Sequence, residues 1–434
     1  MSRSAQRGTA SLSHGSSRRQ AVTGPSAKSP AECALLLSQA SGCALGEARG
    51  LTCLEPRDQA QLAAVLKEAR NKNRPVLPIG SGSQLAWCRP DAFETPSFTP
   101  IPISLIHLSG IIEQIPGEGT ITAQAGTPWS DLISAVAPSG ERLPADLPAA
   151  ESSTLGGVLG SGRSGPDRMK YGPLRHHVLG MQVMLSDGTL AKSGGRQVKN
   201  VTGFDLHRLY TGSRGTLAIT LEASLRLVPE PQQEWGFSLP VADYAEGFVK
   251  AMGVKQAMPR LTWLVLTRVE SRVLLKGGLA GCASQVRVDQ EQVMAALGGT
   301  PESFDLEATR QRRDATEAGS ENLFAWDIQS SLRQCSTLLG ELEAQLPAST
   351  NLWVDCSAGR ILVGLDGNDP ARVRPSWAES IAERATLIRP LCVGADLHAD
   401  LSPTDPSTWT TRLTQGLDPA GILGAAAFSP GRQP

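Results

Sequence analysis

The stretch STLGGVLGSGRSG, Ser153 to Gly165, puts Gly160, Gly162 and Gly165 at G-x-G-x-x-G spacing. That spacing is the fingerprint of a dinucleotide-binding βαβ unit, where the glycines open a helix whose N-terminus holds a pyrophosphate. The flanks do not fit it. AAESSTLGGVL is too polar and glycine-rich for a central parallel strand, and Pro166 followed by Gly172-Pro173 leaves no room for a long helix. The acid expected some twenty residues on would be Asp187, which stands in an Asp-Gly turn signal. The match is accidental as a Rossmann motif.

The glycines still carry possible chemistry. Two loops, Gly80-Ser-Gly-Ser-Gln84 and 153–165, offer successive backbone N–H groups beside small side chains, with hydroxyls from Ser81, Ser83, Ser153 and Thr154. Such concave nests hold phosphate oxygens, and two of them suit a diphosphate with a large organic body. The plainer alternative is a pair of tight turns. Thirteen of the residues 156–215 are Gly, about twice the density set by 44 in 434, which calls for many positive φ angles or close backbone approaches.

Other chemistries are excluded by composition. Eight cysteines include no C-x-x-C pair, so neither a zinc knuckle nor an iron–sulfur ligand set can be written. A net charge of −1 supplies no basic field for nucleic acid. No apolar run reaches the length of a membrane span.

The elements that would position the loops follow from periodicity. PRDQAQLAAVLKEARNKN sets Leu62, Val65, Leu66 and Ala69 on one helical face, followed by the strand RPVLPI and the first loop. IPISLIHL and GTITAQAGT read as strands, and TPWSDLISAVAPSG as a helix with Thr127 as N-cap. HHVLGMQVMLSDGTLAKSG is a hairpin turning at Asp187-Gly188, and TLAITLEASLRLVP alternates as a half-buried strand. Beyond the breaker run PEPQQE, the strands GFSLPV, LTWLVLTRV, SRVLLKGGLAG, NLWVDCSAG and GRILVGLDG mix with helices ADYAEGFVKAMG, DQEQVMAALGG, SLRQCSTLLGELEAQL and WAESIAERATLI. The expected fold class is α+β. The expected layout is a disordered tail over 1–45, a cofactor domain over 46–230, and a second domain over 231–434 with a mostly antiparallel sheet. The basic, serine-rich start also fits a transit peptide. Lacking a secretory h-region, the chain is expected in the cytoplasm with reduced thiols, at the inner membrane only through partners.

Taken in order, PVLPIGSGSQL, PADLPAAESSTLGGVLGSGRSGP, KYGPLRHHVLGMQVMLSDGTL, GGRQVKNVTGFDLHRLYTGSRGTLAI and SLRLVP resemble the FAD-binding domain of the vanillyl-alcohol oxidase/p-cresol methylhydroxylase superfamily. The likeness is greatest to the FAD-binding small subunits of bacterial glycolate oxidases. The resemblance implies FAD extended between two α+β subdomains, with its pyrophosphate on Ile79, Gly80, Ser81, Gly82, Ser83 and Gln84. Ser83 stands where many relatives carry a flavin-linked histidine, which implies non-covalent FAD. Ser153, Thr154, Gly156 and Gly157 match the second contacting segment, Ser164 and Gly165 its continuation toward the isoalloxazine, and Gly215 to Ile219 a strand near the adenosine.

Catalysis would need a base and a carboxylate-binding cation. The candidates are His176, His177 and Arg163, with Arg168, Lys199 and His207 nearby; adjacent histidines opening a strand would point to opposite faces. Related 2-hydroxy-acid dehydrogenases carry a histidine-rich metal motif, whereas LDGND at 365–369 has no histidine beside it. No metal site is expected. The resemblance therefore implies a flavin subunit of a glycolate-oxidase-like complex, working with a sister flavoprotein and an iron–sulfur subunit on a small 2-hydroxy acid. A self-sufficient FAD oxidoreductase and a flavin-free scaffold stand as alternatives.

Overall fold

The computed structural model describes residues 29–83, 100–147, 152–196, 203–269, 271–298, 323–347, 350–366, 381, 385–390 and 408–423. It is α+β, as the residue patterns indicate. A first helix, α1 (Pro30–Ser41), opens it with Ser29 and Glu32 in a reciprocal capping box. Its buried face, Cys33, Ala34 and Leu37, packs into the first core. The folded chain thus starts well before the expected tail boundary at 45. That expectation weighed serine content and basic charge and missed a box written in SPAE; residues 1–28 lie outside the described residues.

Two layers build the first domain. Strands β1 (Ala44–Ala48), β2 (Leu51–Glu55), β3 (Val76–Ile79) and β4 (Ile101–Ser104) form a sheet in the order β1-β2-β4-β3, with β3 and β4 parallel. Helix α2 (Gln59–Asn71) connects β2 to β3 and buries Leu62, Val65, Leu66 and Ala69. Each of its three larger side chains contributes about 1.5–3 kcal/mol by leaving water. Strands β5 (Ile111–Gln114) and β6 (Thr120–Gln124) and the later β8 (Val178–Met184), β9 (Leu190–Gly194) and β10 (Ile219–Arg226) form an antiparallel sheet ordered β5-β6-β10-β8-β9. β10 is central in this sheet, and its burial is nearly continuous rather than alternating.

Helix α3 (Trp129–Val136) starts at Trp129, and the Thr127 hydroxyl accepts from the Gly110 N–H at 2.9 Å instead of capping it. Short helices α4 (Leu155–Ser161), α5 (Arg168–Tyr171) and α6 (Leu206–Tyr210) occupy the glycine-dense region. The short pair β7 (Glu141–Arg142) and β11 (Val228–Pro229) closes the domain.

The second domain is one seven-stranded antiparallel sheet. Its strands are β12 (Gln233–Val241), β13 (Trp263–Val269), β14 (Arg272–Gly281), β15 (Leu323–Ser330), β16 (Asn351–Asp355), β17 (Arg360–Asp366) and β18 (Ala385–Pro390), ordered β12-β14-β13-β16-β17-β15-β18. Alternation sends Phe237, Leu264, Leu266, Leu275, Trp326 and Ile361 to one face. There they meet α7 (Tyr244–Ala257), α8 (Ala283–Leu297) and α9 (Leu332–Gln345). WAESIAERATLI is not one helix: its last four residues lie in β18, paired antiparallel with β15.

Candidate functional site

Three chain segments converge on one cleft. The first is the loop after β3. Leu105 N–H donates to the Ile79 carbonyl at 2.9 Å and the Ser104 hydroxyl to that of Gly80 at 3.1 Å, so β4 fixes the loop's root. The second segment is the start of α4, where Thr154 is the N-cap and its hydroxyl accepts from Gly157 N–H at 3.3 Å. The loops are tied directly: the Ser81 hydroxyl donates to the Ser152 carbonyl, and Ser83 and Ser153 share a hydroxyl contact of 3.4 Å. The third is the turn 212–215, held by N–H groups of Gly212 and Arg214 on the carbonyls of Leu159 and Gly160 at 2.8 and 2.7 Å.

The cleft opens to solvent. Gly80, Ser81, Gly82, Ser83, Thr154, Gly156 and Gly157 line it, together with Ile79 and Gly215. Leu77, Pro78, Leu105, Ala125 and Ala218 supply an apolar floor, with Thr220 beside it, none of them singled out by the sequence pattern. Gly160, Ser161, Ser213 and Arg214 complete it and were also missed as lining. Small side chains around an apolar floor are what a bulky planar ligand with a diphosphate needs. The approach is tight enough that a Cβ at Gly80 would lie 1.9 Å from Thr154 Oγ1. The residues therefore fit a dinucleotide.

Other expected residues lie elsewhere. Ser164 and Gly165 border a second, much smaller crevice between the domains, facing Trp353, Asp355, Arg360 and Leu362 of the seven-stranded sheet. Asp355 accepts from Ser357 N–H at 2.8 Å and from its hydroxyl at 2.5 Å. Burial pushes its carboxyl up, against the Ser357 donors and the Arg168 and Arg360 charges. Arg360 Nε donates to Asp327 at 2.8 Å. Ile219 begins β10 and is fully buried in the core, while Gly215 sits in the turn before it at φ +74°, so 215–219 is not one strand. Gln84 and Lys199 lie outside the described residues.

The histidines do not reach the cleft. Pro173 starts a single 3₁₀ turn, Leu174–His176, so the strand begins only at Val178 and the two rings are not split across its faces. His176 is exposed. His177 is buried, with Nε2 2.6 Å from the Tyr171 carbonyl and Nδ1 3.4 Å from Arg226. His207 is buried on α6 against the Ser193 hydroxyl at 3.2 Å. Burial lowers the pKa of both rings. Arg163 is buried, next to the second crevice's Ser164. Among the described residues no three His, Cys, Asp or Glu side chains gather as a metal site, and no helix is long and apolar enough to cross a membrane.

Residues 51–194 match the family described as FAD binding domain. The chain is 34% identical over 175 residues to glycolate oxidase subunit GlcE of Escherichia coli, covering 40% of this chain and 48% of that one. It is 33% identical over 179 residues to glycolate oxidase subunit GlcD of Bacillus subtilis, covering 41% and 37%. The matched stretch thus spans less than half the length of either relative. Among solved structures, alkyldihydroxyacetonephosphate synthase shares the fold, with a TM-score of 0.65 at 16% identity over 86% of this chain and 75% of that one.

Proposed function

We propose, for a chain whose residues 51–194 are an FAD-binding domain of the vanillyl-alcohol oxidase/p-cresol methylhydroxylase type, that it is the flavin subunit of a 2-hydroxy-acid dehydrogenase complex of the glycolate-oxidase kind. The observation that carries this reading is the convergence of the loops at 79–83, 154–157 and 213–215 on one small-residue cleft. In it the loops would hold a diphosphate by backbone and hydroxyl donors, with the apolar floor beneath the organic body. Bound flavin supplies an acceptor for two electrons from the substrate. Ser83, whose hydroxyl contacts Ser153, offers no ring nitrogen for attachment, so FAD is held non-covalently.

The likeness to GlcE and the retreat of His176 and His177 from the cleft favour division of labour: a sister flavoprotein oxidises glycolate or D-lactate, and an iron–sulfur subunit takes the electrons. Such a subunit would meet the inner membrane only through its partners. One observation favours a self-sufficient oxidoreductase instead: the buried Asp355 and the partly exposed Arg360 facing Ser164 and Gly165 provide an acid and a cation at the domain boundary. Anaerobic addition of glycolate and then D-lactate to the FAD-loaded chain separates the two. Flavin that stays oxidised until the partner subunits are added supports the subunit reading. Bleaching by either acid alone overturns it in favour of the second.

A further inference from the structure

Among the described residues lining the cleft, Arg214 has the one ionisable side chain. Its backbone is unusual for that residue type. Arg214 has φ +55°, a left-handed conformation that glycine adopts without strain and arginine does not. The turn is fixed by its neighbours: its N–H donates to the Gly160 carbonyl at 2.7 Å, and a Cβ at the following Gly215 would lie 2.3 Å from Pro78. Both Gly160 and Pro78 line the cleft. A residue kept in a disfavoured conformation where glycine would relax is a mark of function.

Charge points the same way. A dinucleotide's diphosphate brings two negative charges into a cleft whose other walls offer neutral donors and apolar groups. A buried anion is costly unless paired, and a guanidinium meets phosphate oxygens with two parallel donors. We propose that Arg214 is the diphosphate-pairing cation of this cleft and sets its preference for a dinucleotide over a bare flavin. This rests on the FAD reading above.

The test compares equilibrium binding of FAD and riboflavin, by quenching of flavin fluorescence, to the full chain and to Arg214→Gly and Arg214→Lys. Glycine suits the positive φ, so Arg214→Gly folds and its thermal midpoint does not fall. FAD affinity is expected to drop roughly 10- to 100-fold in Arg214→Gly and less in Arg214→Lys, with riboflavin affinity unchanged. The salt dependence of FAD binding shrinks with it. Equal FAD affinity in Arg214→Gly and the native chain would overturn the assignment, as would an equal loss for FAD and riboflavin. A native chain that binds neither flavin would instead overturn the cofactor reading itself.

Discussion

Gly80 has no room for a side chain, because Thr154 stands against it from the other loop. Gly80→Ala forces one loop away from the other, an overpacking that costs about 1–3 kcal/mol. FAD affinity is expected to fall at least about tenfold, measured by fluorescence quenching, whereas native affinity would show that the loops need not touch. The glycines and hydroxyls of both loops were legible in the sequence, since few other residue types form nests. The floor residues Leu77, Leu105 and Ala125 were not, because a side chain lining a cleft has the same type as one in a core. His177 and His207 give a second test. Burial lowers both folded pKa values, while unfolded histidine titrates near about 6.5. Below that value the unfolded chain takes up protons that the folded chain refuses, so stability is lost as pH falls through about 6.5. Urea unfolding across that pH should flatten in slope for His177→Gln. An unchanged slope would remove His177 from the account.

Helix α4 explains the G-x-G-x-x-G string at the level of an element. Thr154 starts the helix and Gly162 ends it in the left-handed conformation at φ +64°, so the motif marks a C-terminus rather than the phosphate-binding N-terminus of a Rossmann helix. A Cβ at Gly162 would lie 2.8 Å from Gly212 Cα, whereas one at Gly160 would meet Arg214 Cα only at 4.0 Å. Gly162→Ala should therefore destabilise by about 1–3 kcal/mol in urea unfolding, and Gly160→Ala should be neutral or stabilising through helix propensity. The reverse order would contradict the close packing of Gly162 on Gly212. Elements with clear periodicity, such as α2 and the β8–β9 hairpin, were legible. α4 was not, because seven residues containing three glycines carry too short a pattern. The edge strands β5 and β18 were missed for a related reason: their neighbours, not their own composition, make them strands.

Across the whole molecule, α5 pegs the two domains together. Arg142 donates to Glu234 at 3.0 Å and to the Tyr171 hydroxyl at 2.8 Å, while its guanidinium carbon lies 5.3 Å from the Tyr171 ring centroid. Lys170 donates to the Ala280 carbonyl, and Met169 packs on the second core. Arg142→Ala breaks its own bonds to Glu234 and Tyr171 and should cost about 1–3 kcal/mol, with faster cleavage after Glu234 by a glutamate-specific protease as the readout. Cleavage at the native rate would mean the peg is dispensable. No local pattern could announce a clamp whose members are 92 residues apart. The central claim is that this chain binds FAD in the cleft between its glycine loops. The most direct measurement is the absorption spectrum of the purified chain incubated with FAD and then desalted. Retained flavin bands that are lost on acid precipitation, leaving colourless protein, are the predicted result. A colourless protein before precipitation, or flavin that stays with the precipitate, would contradict it.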